Sequence, residues 1–139
     1  TKPSTEKRFY ILDLLQKKLL LSTYVAHGRG SGDNYAVAFS NRPGSYQSSL
    51  GFFRTGDTYM GKNGYSLFLD GLEKGINDKA RERAIVVHGA NYADPAVLKG
   101  QQRLGRSLGC PALPPDISKQ VIDTIKGGVL LYIYGLNKA

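Results

Sequence analysis

The sequence predicts a mostly β protein, a β-rich α+β fold with one main helix near the C-terminus. The 139-residue chain contains 17 glycines, 9 tyrosines and no tryptophan, a composition typical of turn-rich β folds. Its apolar residues fall in many short runs bounded by turn-forming residues, and one segment near the C-terminus has apolar residues at helical spacing. The length suits one domain, residues 1–139, with a core of its own.

Strands are predicted where short apolar or alternating runs are bounded by turn signals. The first two are joined by the polar segment 16–18 and form a hairpin. Glycine-containing turns at 55–57 and 61–64 separate the fourth strand from the fifth. The predicted strands are residues 8–13, 19–26, 35–39, 50–54, 65–69, 84–87 and 129–134.

Two segments are predicted to be helical. Asp94 as N-cap and Pro95 at the first helical position indicate a short helix over residues 95–102. The main helix covers residues 115–126 and is closed by Gly127. Its apolar face consists of Ile117, Val121, Ile122 and Ile125.

The chain carries 19 Lys and Arg against 11 Asp and Glu, a net charge of +8. These charges are spread along the sequence, so we expect a solvated surface with weak attraction to an anionic polymer such as the bacterial cell wall, and no nucleic-acid partner. No apolar run is long enough to span a bilayer, so no stable membrane insertion is expected. The first residue is Thr1, and we expect that an export signal has been removed.

The only cysteine, Cys110, lies in a glycine turn, and His88 follows the apolar residues 84–87 at the end of a predicted buried strand. A cysteine attacks as its thiolate and needs a neighbouring base, which His88 can provide. Backbone amides in the turn that ends at Cys110 can bind an oxyanion. Free cysteines are most often small buried hydrophobic residues, but the thiol, the histidine and the glycine turn together favour a nucleophile pair.

Other candidate binding residues carry weaker signals. His27 begins the glycine-rich segment 27–34 and either lines a substrate groove or is an ordinary loop residue. With Asp33 it makes only two candidate ligands, so no metal site is predicted. Tyr65 and Tyr92 either belong to the strand core and surface or flank a substrate.

A strand that ends in His88 and Gly89, followed by Ser-Leu-Gly-Cys at residues 107–110, resembles the L,D-transpeptidase catalytic domain (YkuD-like) family. The flanking sequences resemble its murein L,D-transpeptidase catalytic domain branch, and the resemblance runs over residues 8–134. It implies the YkuD-like L,D-transpeptidase fold, with two packed mixed sheets and the catalytic turn at one end. The flanking sequences are residues 39–45, 70–77, 81–84 and 106–114.

The resemblance also implies a role for each residue of the motif. Cys110 is implied as the nucleophile and His88 as its base. The carbonyl of Gly89 orients the imidazole, the task that a carboxylate performs in other triads. The amides of Gly109 and Cys110 form the oxyanion hole, and Ser107 supports the turn.

The implied substrate is the tetrapeptide stem of peptidoglycan. Cys110 attacks the carbonyl of the third stem residue and releases the terminal D-alanine, and an amine of a second stem then resolves the thioester to form a cross-link. The resemblance further implies a protein exported to the periplasm or cell wall, without a metal or organic cofactor, and a target of carbapenems. We expect a monomer.

Two positions depart from the family pattern. Leu108 stands where many relatives have His or another polar residue, and Pro111 follows the cysteine where many have an apolar residue and then an arginine. Arg106 and Arg103 are therefore the candidates for binding the substrate carboxylate. The remaining candidates for substrate contacts are Tyr65, Tyr92, Asn91 and His27.

Two alternative functions use the same residues differently. With water in place of the amine, the site would belong to an L,D-carboxypeptidase or to a hydrolase that removes linkages. Alternatively, the protein is a non-catalytic wall-binding module with a structural cysteine. A binding module has no need for both His88 and the turn that ends at Cys110, so the sequence disfavours this second alternative.

Overall fold

The computed structural model describes residues 1–137, and its chain folds into seven strands and one α-helix in that range. Three short 3₁₀ helices, Arg29–Ser31, Asn91–Ala93 and Pro95–Lys99, lie in the connections. The predicted mostly β class with one helix near the C-terminus is confirmed. The elements are β1 (Phe9–Asp13), β2 (Lys18–Thr23), β3 (Gly51–Gly61), β4 (Gly64–Gly71), β5 (Val86–Gly89), β6 (Ala112–Leu113), α1 (Pro115–Ile125) and β7 (Leu130–Ile133).

The strands form two sheets. β1 and β2 make a two-stranded antiparallel hairpin, and the larger sheet has the strand order β6-β5-β4-β3-β7. Only β5 and β6 run parallel, so the larger sheet is mixed and the smaller one is antiparallel. Phe9 of β1 shares one buried cluster with Phe53 of β3, Val87 of β5 and Ile122 of α1. This cluster packs the hairpin and the helix against the larger sheet.

The structure corrects four of the predictions about strands, and the first is that the predicted strand 19–26 ends at Thr23. Residues 35–39 form no strand, because the amides of Val37 and Ala38 both donate to the carbonyl of Ser31 instead of pairing with a strand. The predicted turn at 55–57 lies inside β3, where a register shift between Thr55 and Thr58 accommodates an irregularity without breaking the pairing with β4. β5 starts at Val86 rather than at residue 84.

The helix predictions are nearly correct. Asp94 caps Pro95–Lys99 by accepting from the Ala96 amide at 2.9 Å, but the segment is 3₁₀ and ends three residues earlier than predicted for 95–102. α1 ends at Ile125, and Gly127 beyond it has φ +79°, a backbone conformation that favours glycine. Within residues 1–137, no helix is long and apolar enough to cross a membrane.

Candidate active site

The register between β5 and β6 places Cys110 beside the histidine strand. β5 and β6 pair in parallel, with His88 opposite Ala112 and Gly89 opposite Leu113. Since Cys110 precedes Ala112 by two residues, it lies next to Val86, two residues before His88. Side chains two residues apart on a strand share a face. The pairing therefore brings the turn and the histidine to one end of the sheet.

Hydrogen bonds of Ser107 close the turn that carries the thiol. Its Oγ donates to the Cys110 carbonyl at 2.6 Å and accepts from the Gly109 amide at 3.1 Å. Gly109 has φ +128°, a conformation that residues with a Cβ rarely adopt. The segment behind the turn packs closely, because a Cβ added to Gly28 would lie only 2.9 Å from the Gly109 Cα. The turn is therefore closed by side-chain hydrogen bonds and closely packed.

The two amides predicted for the oxyanion hole differ in their hydrogen bonds. The Gly109 amide is used inside the turn, where it donates to Ser107 Oγ. The Cys110 amide has no acceptor in the part of the chain that the structure describes. Of these two amides, the Cys110 N–H is therefore the one that can donate to an oxyanion without breaking a hydrogen bond of the turn.

The thiol of Cys110 lies against the backbone that leads into β5. Sγ accepts from the Val86 amide at 3.4 Å and donates to the Ala84 carbonyl at 3.5 Å. Burial raises the pKa of the Cys110 thiol, while the Val86 N–H and the positive charge of Arg83 act in the opposite direction. A thiol with a raised pKa is protonated at neutral pH, so nucleophilic attack requires a base.

His88 is buried and its tautomer is set by a backbone carbonyl. Nδ1 lies 2.9 Å from the Gly89 oxygen, and since a carbonyl only accepts, Nδ1 carries the hydrogen. Nε2 of the neutral ring is then unprotonated, which is the state required of a general base. Among residues 1–137, no hydrogen bond joins the ring to Cys110 Sγ. Catalytic hydrogen bonds are often long or absent without substrate and tighten only when it binds.

A cavity of about 460 Å³ opens at the end of β5 beside His88 and Gly89. It brings together three of the predicted substrate residues, Tyr65, Asn91 and Tyr92. The tyrosines are held differently. Tyr65 donates its hydroxyl hydrogen to Asp123 at 2.5 Å. Burial raises the pKa of Tyr92 to about 12, and the negative charge of an ionised Cys110 acts in the same direction.

The other three predicted substrate residues lie elsewhere. Arg106 donates to Asp33 at 3.0 Å, and Arg103 lies 4.0 Å from the same carboxylate, at a second cavity of about 500 Å³. His27 is buried between Arg8 and Gly32. The structure does not place these three side chains in the wall of the His88 cavity.

The family model of the L,D-transpeptidase catalytic domain matches residues 1–134. The chain belongs to this family. A comparison with proteins of curated function finds no match.

Two solved structures of L,D-transpeptidases are similar to this family member. One is an L,D-transpeptidase from Mycobacterium smegmatis, with 14% identity, a TM-score of 0.49, and coverage of 85% of this chain and 50% of the other. The second is the LD transpeptidase LdtMt1 in complex with imipenem, with 15% identity, a TM-score of 0.47 and the same coverage of 85% and 50%. The chain therefore spans half the length of either protein.

Sequence reasoning about this L,D-transpeptidase domain missed several residues of the site. Lys62 and Ser118 line the His88 cavity, from the β3–β4 turn and the first turns of α1. The turn signal at 61–64 predicted a connection but not its position over the cavity. Arg83 lies near Cys110. Its position directly before the predicted strand could have indicated that it lies close to the site. Strand β6, which sets the position of Cys110, is only two residues long, and no sequence pattern predicted it.

Metal ligands form no cluster in the described residues of the domain. Between residues 1 and 137, no group of three or more His, Cys, Asp or Glu side chains is arranged to bind a metal ion. The two histidines also differ in their hydrogen bonds. Both ring nitrogens of His27 form hydrogen bonds, whereas His88 forms one through Nδ1.

Proposed function

We propose that this protein is a peptidoglycan L,D-transpeptidase that acts through a Cys110 thioester. The observation that carries the proposal is the parallel register of β5 and β6, which brings the cysteine turn and His88 to one end of the sheet. Within residues 1–137, Nε2 of His88 has no hydrogen-bond partner. Membership of the L,D-transpeptidase catalytic domain family supports the same reaction class.

The proposed reaction starts with proton transfer from Cys110 to His88 Nε2. The thiolate attacks the carbonyl carbon of the third stem residue, and the Cys110 amide donates to the oxyanion that forms. The C–N bond to the terminal D-alanine then breaks, and the leaving amine takes the proton from His88. An amine of a second stem attacks the thioester, His88 accepts its proton, and the thiolate leaves.

The cavity beside His88 is the proposed stem-peptide site. Tyr65, Asn91 and Tyr92 offer aromatic surface and polar groups, and Lys62 brings a positive charge that suits the carboxylate of a stem. Arg103 and Arg106 are already paired with Asp33, which makes them weaker candidates for that role than Lys62. The enzyme needs no metal or organic cofactor in this scheme, and we place it in the periplasm or cell wall as a monomer.

The nucleophile and the base are tested together by acylation. Wild-type protein incubated with a carbapenem or a tetrapeptide stem is expected to gain the mass of the acyl group, and Cys110→Ala is expected to gain none. His88→Ala is expected to lose turnover at neutral pH by at least about a hundredfold, the usual contribution of a general base. Circular dichroism of each variant controls for folding. An adduct on the Cys110→Ala protein would refute the nucleophile.

Product analysis separates transfer from hydrolysis. With purified disaccharide tetrapeptides, transpeptidation is expected to yield cross-linked dimers and free D-alanine. A carboxypeptidase would instead yield tripeptide and free D-alanine without dimers, and that outcome would contradict the proposed acceptor.

A further inference from the structure

Arg83 is a half-buried cation whose hydrogen-bond partners are all neutral. Nη1 donates to the Ser40 carbonyl at 3.0 Å and to Ser49 Oγ at 2.8 Å. Nη2 donates to Ser45 Oγ at 3.2 Å and to the Gln47 carbonyl at 2.8 Å. No carboxylate within residues 1–137 forms an ion pair with it. Four hydrogen bonds fix the guanidinium, but its charge has no fixed counterion in the described part of the chain.

The guanidinium lies directly behind the catalytic turn. A Cβ added to Gly109 would be 3.4 Å from Arg83 Nη2 and 3.1 Å from the Gln47 carbonyl to which Nη2 donates. The turn that carries Cys110 therefore packs on both the guanidinium and the segment that the guanidinium binds. Arg83 is 27 residues from Cys110 in sequence, and the connection is made only by the fold.

The charge of Arg83 acts on the thiol. It works against burial and lowers the pKa of Cys110, and an ionised Cys110 in turn raises the pKa of Arg83 against the effect of burial. Two further titratable groups belong to neighbouring segments. Tyr92 has its pKa raised further by the Cys110 charge, and His88 follows by two residues Val86, whose amide meets the thiol. Arg83 is the group among these with a permanent positive charge.

We propose that Arg83 is a positioning residue of the acyl transfer, which braces the turn from residue 107 to 110 and provides the counter-charge for the Cys110 thiolate. This inference rests on the proposed function, since it takes Cys110 as the nucleophile. A cation held among neutral acceptors is costly to bury. The cost is offset when an anion forms beside it, and a donor that is already fixed needs no reorganisation at that moment.

Arg81 is the matched control, two residues away. It is exposed and forms a bidentate ion pair with Asp70, in which Nε and Nη2 lie 2.6 and 3.0 Å from the two carboxylate oxygens. Its guanidinium also lies over the Phe68 ring. The charge of Arg81 is thus already compensated, and its partners Asp70 and Phe68 lie outside the turn from residue 107 to 110.

The test is alkylation of Cys110 by iodoacetamide as a function of pH, followed by mass spectrometry. Cys110 is the only cysteine, so the signal has one source. For Arg83→Gln we expect the midpoint of the alkylation pH profile to move to higher pH. The alkylation rate at neutral pH is expected to fall roughly three- to tenfold, the effect expected when one nearby, partly screened positive charge is lost. Arg83→Lys is expected to keep most of the wild-type midpoint, and Arg81→Gln all of it.

An unchanged midpoint in folded Arg83→Gln would overturn the proposal, as would an equal shift in Arg81→Gln. If Arg83→Gln loses its native circular dichroism spectrum, Ser45→Ala replaces it, because this change removes one acceptor of Nη2 and loosens the guanidinium. A smaller shift in the same direction is then expected, and no shift would refute the role. Alkylation needs no substrate, so failure here is distinguishable from failure of the transpeptidase assay.

Discussion

The two histidines of the chain are both buried, and their hydrogen bonds suit them to different tasks. His88 uses Nδ1 on the Gly89 carbonyl and leaves Nε2 without a partner among the described residues. His27 donates from Nε2 to the Gly32 carbonyl, so its Nδ1 accepts from Arg8. An imidazole whose two nitrogens both form hydrogen bonds within the protein is not available to transfer a proton to or from a substrate. These hydrogen bonds suit His27 to a structural role.

His27 is expected to make the protein sensitive to acid. Burial, with Arg8 as the second cause, lowers the pKa of His27 to about 4. The unfolded chain binds a proton at the ordinary pKa near 6.5, whereas the folded protein does not until about pH 4. The unfolded state thus binds more protons between these values, so the free energy of unfolding falls by about 3 kcal/mol as pH drops through this window. At pH 7 the imidazole is mostly neutral in both states and the effect is small.

Urea unfolding across the same pH window measures this effect. The variant His27→Gln cannot take up a proton, and its side-chain amide can still donate towards Gly32, so its stability is expected to vary less with pH. Asp70, Asp78 and Asp123, whose pKa values are lowered, also reduce stability at the acid end of this window, but they do so in both proteins alike. Equal slopes for wild type and variant would show that another group is responsible.

At the scale of elements, one threonine joins the end of α1 to two strands. Thr55 Oγ1, fully buried in β3, donates to the Ile125 carbonyl at 2.6 Å and accepts from the Val129 amide at 2.8 Å and the Gly128 amide at 3.2 Å. The last turn of α1 and the chain entering β7 thereby share one hydroxyl. This contact sits at the irregularity in β3 that the sequence suggested was a turn.

Thr55→Val is expected to destabilise the fold by about 2–4 kcal/mol, because it keeps the shape of the side chain and leaves a buried carbonyl and an amide without partners. Thr124→Val is the matched control, since its hydroxyl is exposed and bonds only within the helix to Gln120. We expect the control to change stability by less than about 0.5 kcal/mol. Urea midpoints measure both variants, and similar losses for the two would contradict the role of Thr55.

For the molecule as a whole, we propose that residues 1–139 form one domain. The small hairpin is a separate sheet, yet Phe9 of β1 lies in the same buried cluster as residues of the larger sheet and α1. Its burial alone is worth about 1.5–3 kcal/mol. A hairpin tied in this way should unfold together with the rest.

A single cooperative transition is therefore expected on heating. Far-ultraviolet circular dichroism follows the strands, and near-ultraviolet signals follow the 9 tyrosines. Coincident midpoints for the two signals support one domain. An early step in which part of the strand signal is lost alone would show that the hairpin melts independently.

Short-range sequence patterns carried most of the information about the fold class and about the chemistry of the candidate site. The alternation of apolar runs and turns predicted a mostly β fold, and helical spacing located α1 to within one residue at its end. The same patterns failed for residues 35–39 and 55–57, where the partners of the backbone are distant in sequence. A local pattern cannot show whether a glycine breaks a strand or sits in an irregular pairing.

The sequence by itself determined the family, the unique thiol and the histidine at a strand end, because these depend on residue identity and on neighbours a few positions away. Only the tertiary structure decided what surrounds them. The two-residue strand β6 sets Cys110 beside β5, the β3–β4 turn brings Lys62 to the cavity, and Arg83 reaches the turn from 27 residues away. Each of these depends on pairing between distant segments, and burial and charge at the site follow from that pairing.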